Sequence, residues 1–206
     1  MKALLRPIYK WIKLKIDFQK FKSGVKNNQA DLKVVVGSAG FYDQGWIPTE
    51  VDFLNLLDEK QWELYFNRSS INNVLAEHVW EHLTPEQGKV AATTCFHFLK
   101  SNGKLRIAVP DGFHKDQSYI DFVKPGGSGA GADDHKILYT FQSLSAMLES
   151  VGFKVELAEY FNESKQFVKN EWCVKDGYIH RSMVNDKRNS DGYPHYTSLI
   201  VDAIKP

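Results

Sequence analysis

Short apolar runs alternate with amphipathic segments along most of this chain. Residues 85–98 and 141–151 have helical spacing, and the apolar runs have the length and composition of buried strands. The runs that predict strands are 33–36, 45–50, 70–76, 104–110, 154–160 and 197–204. Strands that alternate with helices predict an α/β fold, with a mostly parallel sheet covered by helices on both faces. Because a long polar excursion precedes the last strand, we expect that strand to insert antiparallel beside its predecessor.

Polar, titratable residues follow the apolar run 70–76, in the order Glu77, His78, Val79, Trp80, Glu81, His82. In open α/β sheets ligands bind at the carboxyl ends of the strands, so this position is a candidate site. Asn102-Gly103 is the expected stop of the helix that precedes the next strand. The stretch 70–110 is therefore predicted to be the strand–helix–strand unit that carries the chemistry.

The pattern His78-x-x-Glu81-His82 permits a zinc interpretation of this segment. On a helix the two histidines would share one face and bind Zn²⁺, while the glutamate polarises a water molecule. A third ligand would have to come from far downstream, and nothing in the sequence marks one. The simpler alternative is a helix N-terminus with glutamates that favour the helix dipole and solvent-facing histidines.

The N-terminal segment, residues 1–28, differs in charge from the domain expected over residues 29–206. Residues 1–26 carry a net charge of +7, and the remainder of the chain carries −6. Its apolar residues recur at helical spacing, with basic residues on another face; they are Leu4, Leu5, Ile8, Trp11, Ile12 and Ile16. Residues 1–22 are therefore expected either to lie on an anionic membrane surface or to pack their apolar stripe against the domain.

Composition argues against a membrane-spanning protein, a disulfide-rich scaffold and a nucleic-acid-binding protein. The chain has 206 residues, 43% of them hydrophobic, without an apolar run near the roughly 20 residues that span a bilayer. Two cysteines make no disulfide framework, so we expect a buried, reduced Cys95 and a cytoplasmic location, with possible peripheral attachment to a membrane. The net negative charge of residues 27–206 disfavours nucleic acid as a partner.

A small-residue turn follows the first predicted strand, as Gly37-Ser38-Ala39-Gly40. A buried strand that runs into such a turn is typical of sites where backbone N–H groups meet a nucleotide-type ligand. Glu50 ends the next predicted strand, where a carboxylate can accept hydrogen bonds from both ribose hydroxyls. The glycine-dense stretch 124–132 has no strand leading into it and is better explained as a flap over a cleft.

Three segments together resemble the class I S-adenosylmethionine-dependent methyltransferases, in particular a bacterial branch with an "EHVxEHL" segment. They are Val36-Gly37-Ser38-Ala39-Gly40, the run from Glu77 to Leu83, and the run from Phe98 to Asp111. The resemblance implies a Rossmann-like, seven-stranded sheet and S-adenosylmethionine as cofactor. It also implies that Gly37, Ser38 and Gly40 line the methionine and ribose side, that Glu50 binds the ribose, and that Leu54 and Asn55 flank the adenine. By the same resemblance, Glu77 and His78 lie where the cofactor sulfur and the acceptor meet.

Methyl transfer from a sulfonium needs approach geometry, exclusion of water and, for a hydroxyl acceptor, a base. The candidate bases are His78, His114 and His135, and Asp111 could orient a histidine or bind the acceptor. The expected function is O-methylation of a small molecule or a sugar or polysaccharide precursor. Two alternatives are a catalytically degenerate cofactor-binding or interaction module, since Ala39 stands where the family more often has glycine, and a zinc hydrolase using His78, Glu81 and His82.

Overall fold

The computed structural model describes the backbone of residues 2–206 and the side chains of residues 11–206. Five helices and seven strands follow one another along this part of the chain. They are α1 (Lys2–Asn27), β1 (Leu32–Val35), β2 (Ile47–Pro48), α2 (Glu59–Glu63), β3 (Ile71–Glu77), α3 (Pro85–Phe98), β4 (Leu99–Pro110), α4 (Gln117–Val123), α5 (Phe141–Glu149), β5 (Lys154–Phe161), β6 (Phe167–Lys169) and β7 (Ser198–Ile204).

The strands form one sheet in the order β2-β1-β3-β4-β7-β5-β6. Strands β1 to β4 pair in parallel, while β7 is antiparallel to both of its neighbours, β4 and β5. The edge strand β6 is antiparallel to β5. This arrangement confirms the expected seven-stranded, mostly parallel sheet with an antiparallel C-terminal strand. The carboxyl ends of β1, β3 and β4 lie at one edge of the sheet, beside the N-terminus of β7.

The helix starts follow from local capping. The Thr84 hydroxyl accepts a hydrogen bond from the Gln87 backbone N–H, the Gln87 side chain accepts one from the Thr84 N–H, and Pro85 occupies the first helical turn.

The expected stop of α3 at Asn102-Gly103 is wrong, because α3 ends at Phe98 and the chain passes directly into β4. Asn102 instead has a positive φ of 62° and donates its N–H to the Lys205 carbonyl at 2.7 Å, which forms a kink inside β4.

Helix α1 packs through a different stripe from the predicted one. Phe21 and Val25 are buried, and Leu14 and Phe18 pack beside them against the domain core. By contrast, Trp11, Ile12 and Ile16 are 55%, 45% and 51% exposed. The side chains of Leu4, Leu5 and Ile8 lie outside the described residues. Helix α1 continues to Asn27. The domain boundary at residue 28 and the membrane contact stay predictions.

A buried ion pair fastens the polar excursion between β6 and β7 to the sheet. Arg106 on β4 is fully buried and donates two hydrogen bonds to Asp202 on β7, at 2.6 and 2.7 Å. Its remaining terminal nitrogen donates to the carbonyls of Cys173 and Gly177, at 2.8 and 2.7 Å. The excursion is thereby held over the carboxyl edge of the sheet, where it contributes walls to the site described below.

Two further expectations concern single features of the chain. Cys95 is fully buried in α3, as expected, and burial raises the pKa of its thiol far above the ordinary value. Among the described helices, none combines the length and apolar character needed to cross a membrane.

Candidate functional site

A cleft of about 330 Å³ lies at the carboxyl ends of β1 and β3. One wall is the small-residue turn after β1, a second is the end of β3 with Glu77 and His78, and a third comes from the late excursion. Its lining residues are Val35, Val36, Gly37, Ser38, Ala39, Phe41, Tyr42, Asp43, Trp46, Leu75, Glu77, His78, Tyr178, His180 and Arg181. The predicted residues Gly37, Ser38, Glu77 and His78 thus meet in one place.

The turn after β1 presents free backbone donors to this cleft. Gly37, Ala39 and Gly40 have positive φ angles of 61°, 48° and 92°, so the chain reverses sharply here. The N–H groups of Gly37 and Ala39 have no hydrogen-bond partner among the described residues, and both residues are exposed. A Cβ at Gly37 would lie 3.0 Å from the Val79 side chain, so the close packing of the turn needs glycine. The alanine at position 39 preserves the turn, since it adopts the left-handed conformation itself.

Glu50 reaches the same turn from the end of β2. The Ser38 hydroxyl donates to Glu50 Oε1 at 3.0 Å and accepts from the Gly40 N–H at 3.3 Å. Glu50 therefore stands directly behind a residue that lines the cleft. Its role toward ribose hydroxyls stays a prediction.

Leu54 and Asn55 are not among the residues that line the cleft, and their role beside the adenine stays a prediction. Leu54 is 2% exposed and belongs to the core, and the Asn55 side chain accepts the Leu57 N–H at 2.9 Å. The Asn55 side chain is thus engaged in the turn that precedes α2. Four tyrosine, tryptophan or phenylalanine side chains line the cleft, and the most exposed of them are Phe41 and Tyr42, at 68% and 39%.

Glu77 already has partners in the excursion. Its carboxylate accepts hydrogen bonds from the N–H of His180 (3.1 Å), from the N–H of Arg181 (2.8 Å) and from His180 Nδ1 (3.0 Å). The residue thus positions the segment 180–181 against the cleft. A direct contact of Glu77 with a cofactor would have to compete with these three bonds.

His78 lies at the turn where β3 ends, with a strained, positive φ of 55°. Its Nδ1 is 2.8 Å from Glu81 Oε1, and its Nε2 is 3.1 Å from the Ser198 hydroxyl at the start of β7. The Glu81 contact is close enough for charge attraction but does not have hydrogen-bond geometry. Burial by itself raises the pKa of the Glu81 carboxyl, and the His78 imidazole outweighs this effect and holds the pKa below its ordinary value.

A second cavity, of about 180 Å³, adjoins the first. Only two residues line both spaces, His78 and Arg181. The other walls are Glu81 and His82, the end of α4, and the glycine-dense segment with His135. The predicted flap over a cleft thus corresponds to a wall of this second cavity, formed by Gly129, Ala130 and Ala132.

His114 and Asp111 occupy structural positions, which contradicts their assignment as base and acceptor-binding group. His114 is fully buried and stacks on Tyr119; its Nε2 bonds to the Pro194 carbonyl and its Nδ1 accepts the Asp116 N–H. Both ring nitrogens are therefore engaged, and burial lowers the pKa of the ring. Asp111 is also fully buried, and its two oxygens accept the N–H groups of Phe113 and Phe161. Burial raises its pKa to about 6.

The zinc pattern His78-x-x-Glu81-His82 does not form as predicted. Only residues 80–82 are helical, as a single 3-10 turn, and His78 precedes that turn in a left-handed conformation. His78 and His82 therefore do not share a helical face. The structure groups Glu81 and His82 with His135 instead.

Sequence patterns did not place the excursion residues Tyr178, His180 and Arg181 at this cleft. No sequence spacing links these residues to β3, because Glu77 binds His180 and Arg181 across about a hundred positions. The one available signal was their concentration of polar and aromatic side chains.

No protein-family model and no curated protein matches the sequence. Among solved structures, a SAM-dependent methyltransferase from Thermotoga maritima, described as a possible histamine N-methyltransferase, aligns with a TM-score of 0.50 at 9% identity, over 98% of this chain and 97% of that chain. A SAM-dependent methyltransferase from Archaeoglobus fulgidus aligns with a TM-score of 0.47 at 16% identity, over 94% and 90%. Such identities speak for the fold alone, and the chain has the Rossmann-like fold found in SAM-dependent methyltransferases.

Proposed function

We propose that this protein is an S-adenosylmethionine-dependent methyltransferase that acts on a hydroxyl group of a small molecule or of a sugar or polysaccharide precursor. The observation that supports this proposal best is the pair of adjoining cavities at the carboxyl edge of the sheet, which share His78 and Arg181. Two adjoining spaces suit a reaction in which a donor and an acceptor must meet.

The larger cleft fits the cofactor. The free N–H groups of Gly37 and Ala39 can donate to its carboxylate or ribose oxygens, and Glu50 behind Ser38 can accept from the ribose hydroxyls. Phe41 and Tyr42 offer exposed aromatic faces on which an adenine can stack. When bound, the cofactor supplies an electrophilic methyl group that needs no covalent help from the protein.

The smaller cavity is the proposed acceptor site, and His78 is the proposed base. Its imidazole lies on the wall common to both spaces, with Nε2 held only by the rotatable hydroxyl of Ser198. On its other side the buried Glu81 carboxylate stabilises the ring once it takes up a proton. Exclusion of water by the glycine-dense wall and by Arg181 would keep the hydroxyl oriented toward the methyl group.

Calorimetric titration with S-adenosylmethionine and S-adenosylhomocysteine tests the proposal. We expect micromolar binding that Glu50→Ala weakens by about tenfold or more, because a hydrogen bond to a charged group is worth about 1.5–3 kcal/mol. Glu149→Ala, which removes an exposed carboxylate at the end of α5, is the matched control and should bind as the parent does. Absence of binding to either ligand would refute the cofactor assignment and favour the degenerate interaction module.

A further inference from the structure

A buried carboxylate without hydrogen-bond partners lies at the floor of the second cavity. Glu81 is 1% exposed, and neither of its side-chain oxygens has a hydrogen-bond partner among the described residues. Desolvated carboxylate oxygens are costly unless paired, and each such group calls for an explanation. His78 Nδ1 lies 2.8 Å from Oε1 of this carboxylate and leaves Oε2 free.

Two histidines from different parts of the chain lie close to this carboxylate. In each of them the ring nitrogen Nδ1 has a hydrogen-bond partner. His82 Nδ1 is 3.2 Å from Asp134 Oδ2, and His135 Nδ1 is 2.7 Å from the Val123 carbonyl oxygen. A carboxylate and a carbonyl only accept hydrogen bonds, so in the neutral form of each ring Nδ1 carries the proton and Nε2 has the lone pair. Metal-binding histidines almost always show this arrangement, in which the second nitrogen donates to a carboxylate or a backbone carbonyl.

The backbone holds the two segments together. The Lys136 N–H donates to the Glu81 carbonyl at 2.7 Å, which ties the turn carrying His135 to the 3-10 turn carrying Glu81 and His82. The two imidazole rings pack edge to face, with centroids 4.9 Å apart. The cluster is therefore built by specific contacts between residues about fifty positions apart.

We propose that Glu81, His82 and His135 bind one divalent transition-metal ion, with Zn²⁺ the best match to the ligand set. One ligand atom from each residue lies within 4.8 Å of the others. Tetrahedral zinc with nitrogen and oxygen ligands places neighbouring ligand atoms about 3.4 Å apart, so small side-chain rotations complete the site. Two histidines and a glutamate form a three-ligand set that leaves a fourth position open toward the cavity.

The position of the site suggests what the open coordination position would bind. If the smaller cavity receives the acceptor, as the proposed function requires, a hydroxyl coordinated there would lose its proton more easily. This consequence depends on the proposed function. The metal site itself does not, because it is argued from the three ligands and their supporting contacts alone.

Zinc titration of the full chain, produced without a histidine tag and stripped of metal, tests the inference. We expect one Zn²⁺ per chain by calorimetry against a competing chelator. His82→Ala and His135→Ala should each weaken binding by about 100-fold or more, and Asp134→Ala by about tenfold, because it removes only a supporting partner. The matched control is His195→Ala, since His195 also contacts an aspartate, at 2.8 Å from Asp191, but lies outside the cluster.

Folding and cofactor binding are measured on the same samples. Circular dichroism and thermal unfolding without metal check that the variants fold, and Co²⁺ substitution should give the intense visible absorption of a four- or five-coordinate ion in the parent alone. Unchanged S-adenosylhomocysteine binding in His135→Ala, together with lost Zn²⁺ binding, would support the metal site independently of the cofactor site. Stoichiometric Zn²⁺ binding that survives in both His82→Ala and His135→Ala, or no stoichiometric binding by the parent, would overturn the inference.

Discussion

The Arg106–Asp202 pair allows the sharpest stability prediction. Arg106 is fully buried, the Asp202 side chain is 7% exposed, and the two join through paired bonds of 2.6 and 2.7 Å. Asp202→Asn would keep the shape and remove the charge, so the guanidinium would stay buried without a counter-charge. Breaking a buried pair by removing one partner costs about 3–5 kcal/mol. Because asparagine retains one acceptor, we expect a loss of about 3 kcal/mol, which for a chain of this size lowers Tm by about 6–12 °C.

Equilibrium unfolding in urea, followed by circular dichroism, measures this loss. The double variant Arg106→Met/Asp202→Leu removes both charges, and replacement of a buried pair by apolar side chains is often neutral. We expect it to recover part of the lost stability, since the carbonyls of Cys173 and Gly177 lose their donor. Lys104, which contacts Asp202 at 3.0 Å, would keep Asp176 as its partner at 2.7 Å. A loss below about 1 kcal/mol in Asp202→Asn, or a double variant as unstable as the single one, would refute the reasoning.

An exposed pair provides the control for these variants. Lys154 and Glu156 lie 2.9 Å apart with side chains 70% and 52% exposed. Lys154→Met should therefore change the free energy of unfolding by no more than about 0.5 kcal/mol.

Hydrogen exchange gives a local measurement for the buried pair. Arg106→Met should lower the protection of the backbone amides of residues 173–181, since Arg106 donates to the carbonyls of Cys173 and Gly177.

Two further predictions concern the turn after β1 and the pH dependence of folding. Gly37→Ala should cost about 1–2 kcal/mol from its left-handed backbone, plus a contact with Val79 at 3.0 Å, and should weaken S-adenosylhomocysteine binding. Gly192→Ala has a similar φ of +83° with open space around it, so it should cost less and leave binding unchanged; equal effects would contradict the cleft assignment. Burial raises the pKa of Asp111 from 3.8 to about 6, so its contribution to stability is fully present below about pH 3.8 and is lost as the pH rises through about 6. The stability of the parent relative to Asp111→Asn should therefore fall between pH 4 and pH 7 in urea unfolding, whereas parallel curves would disprove the shift.

Local sequence patterns predicted the regular elements well. The apolar pattern of the sequence marks the buried positions of β3, β5, β7, α3 and α5. The cap of α3, Thr84, directly precedes the helix that it starts. The antiparallel insertion of β7 followed from the long connection before it. Short elements without such a pattern, α4 and β6, were not anticipated, because seven and three residues carry too little periodicity.

Which face of a segment is covered was decided by the tertiary structure. Helix α1 has apolar residues on more than one face, and packing chose the one with Phe21 rather than the one with Trp11. His114, a plausible base by type, is engaged at both nitrogens by groups near it in the fold. Sequence periodicity indicates that a side chain can be buried, but it does not indicate which groups the buried side chain contacts.

In the candidate site, too, the sequence predicted some features and the tertiary structure decided the others. Sequence alone identified the turn at Gly37 and the cluster around His78, because each follows an apolar strand directly. It could not join His135 to Glu81, or the excursion to Glu77, because those contacts depend on how loops close over the edge of the sheet. Chain connectivity determined the edge of the sheet at which the candidate site lies, and only the three-dimensional packing of the loops decided which side chains meet there.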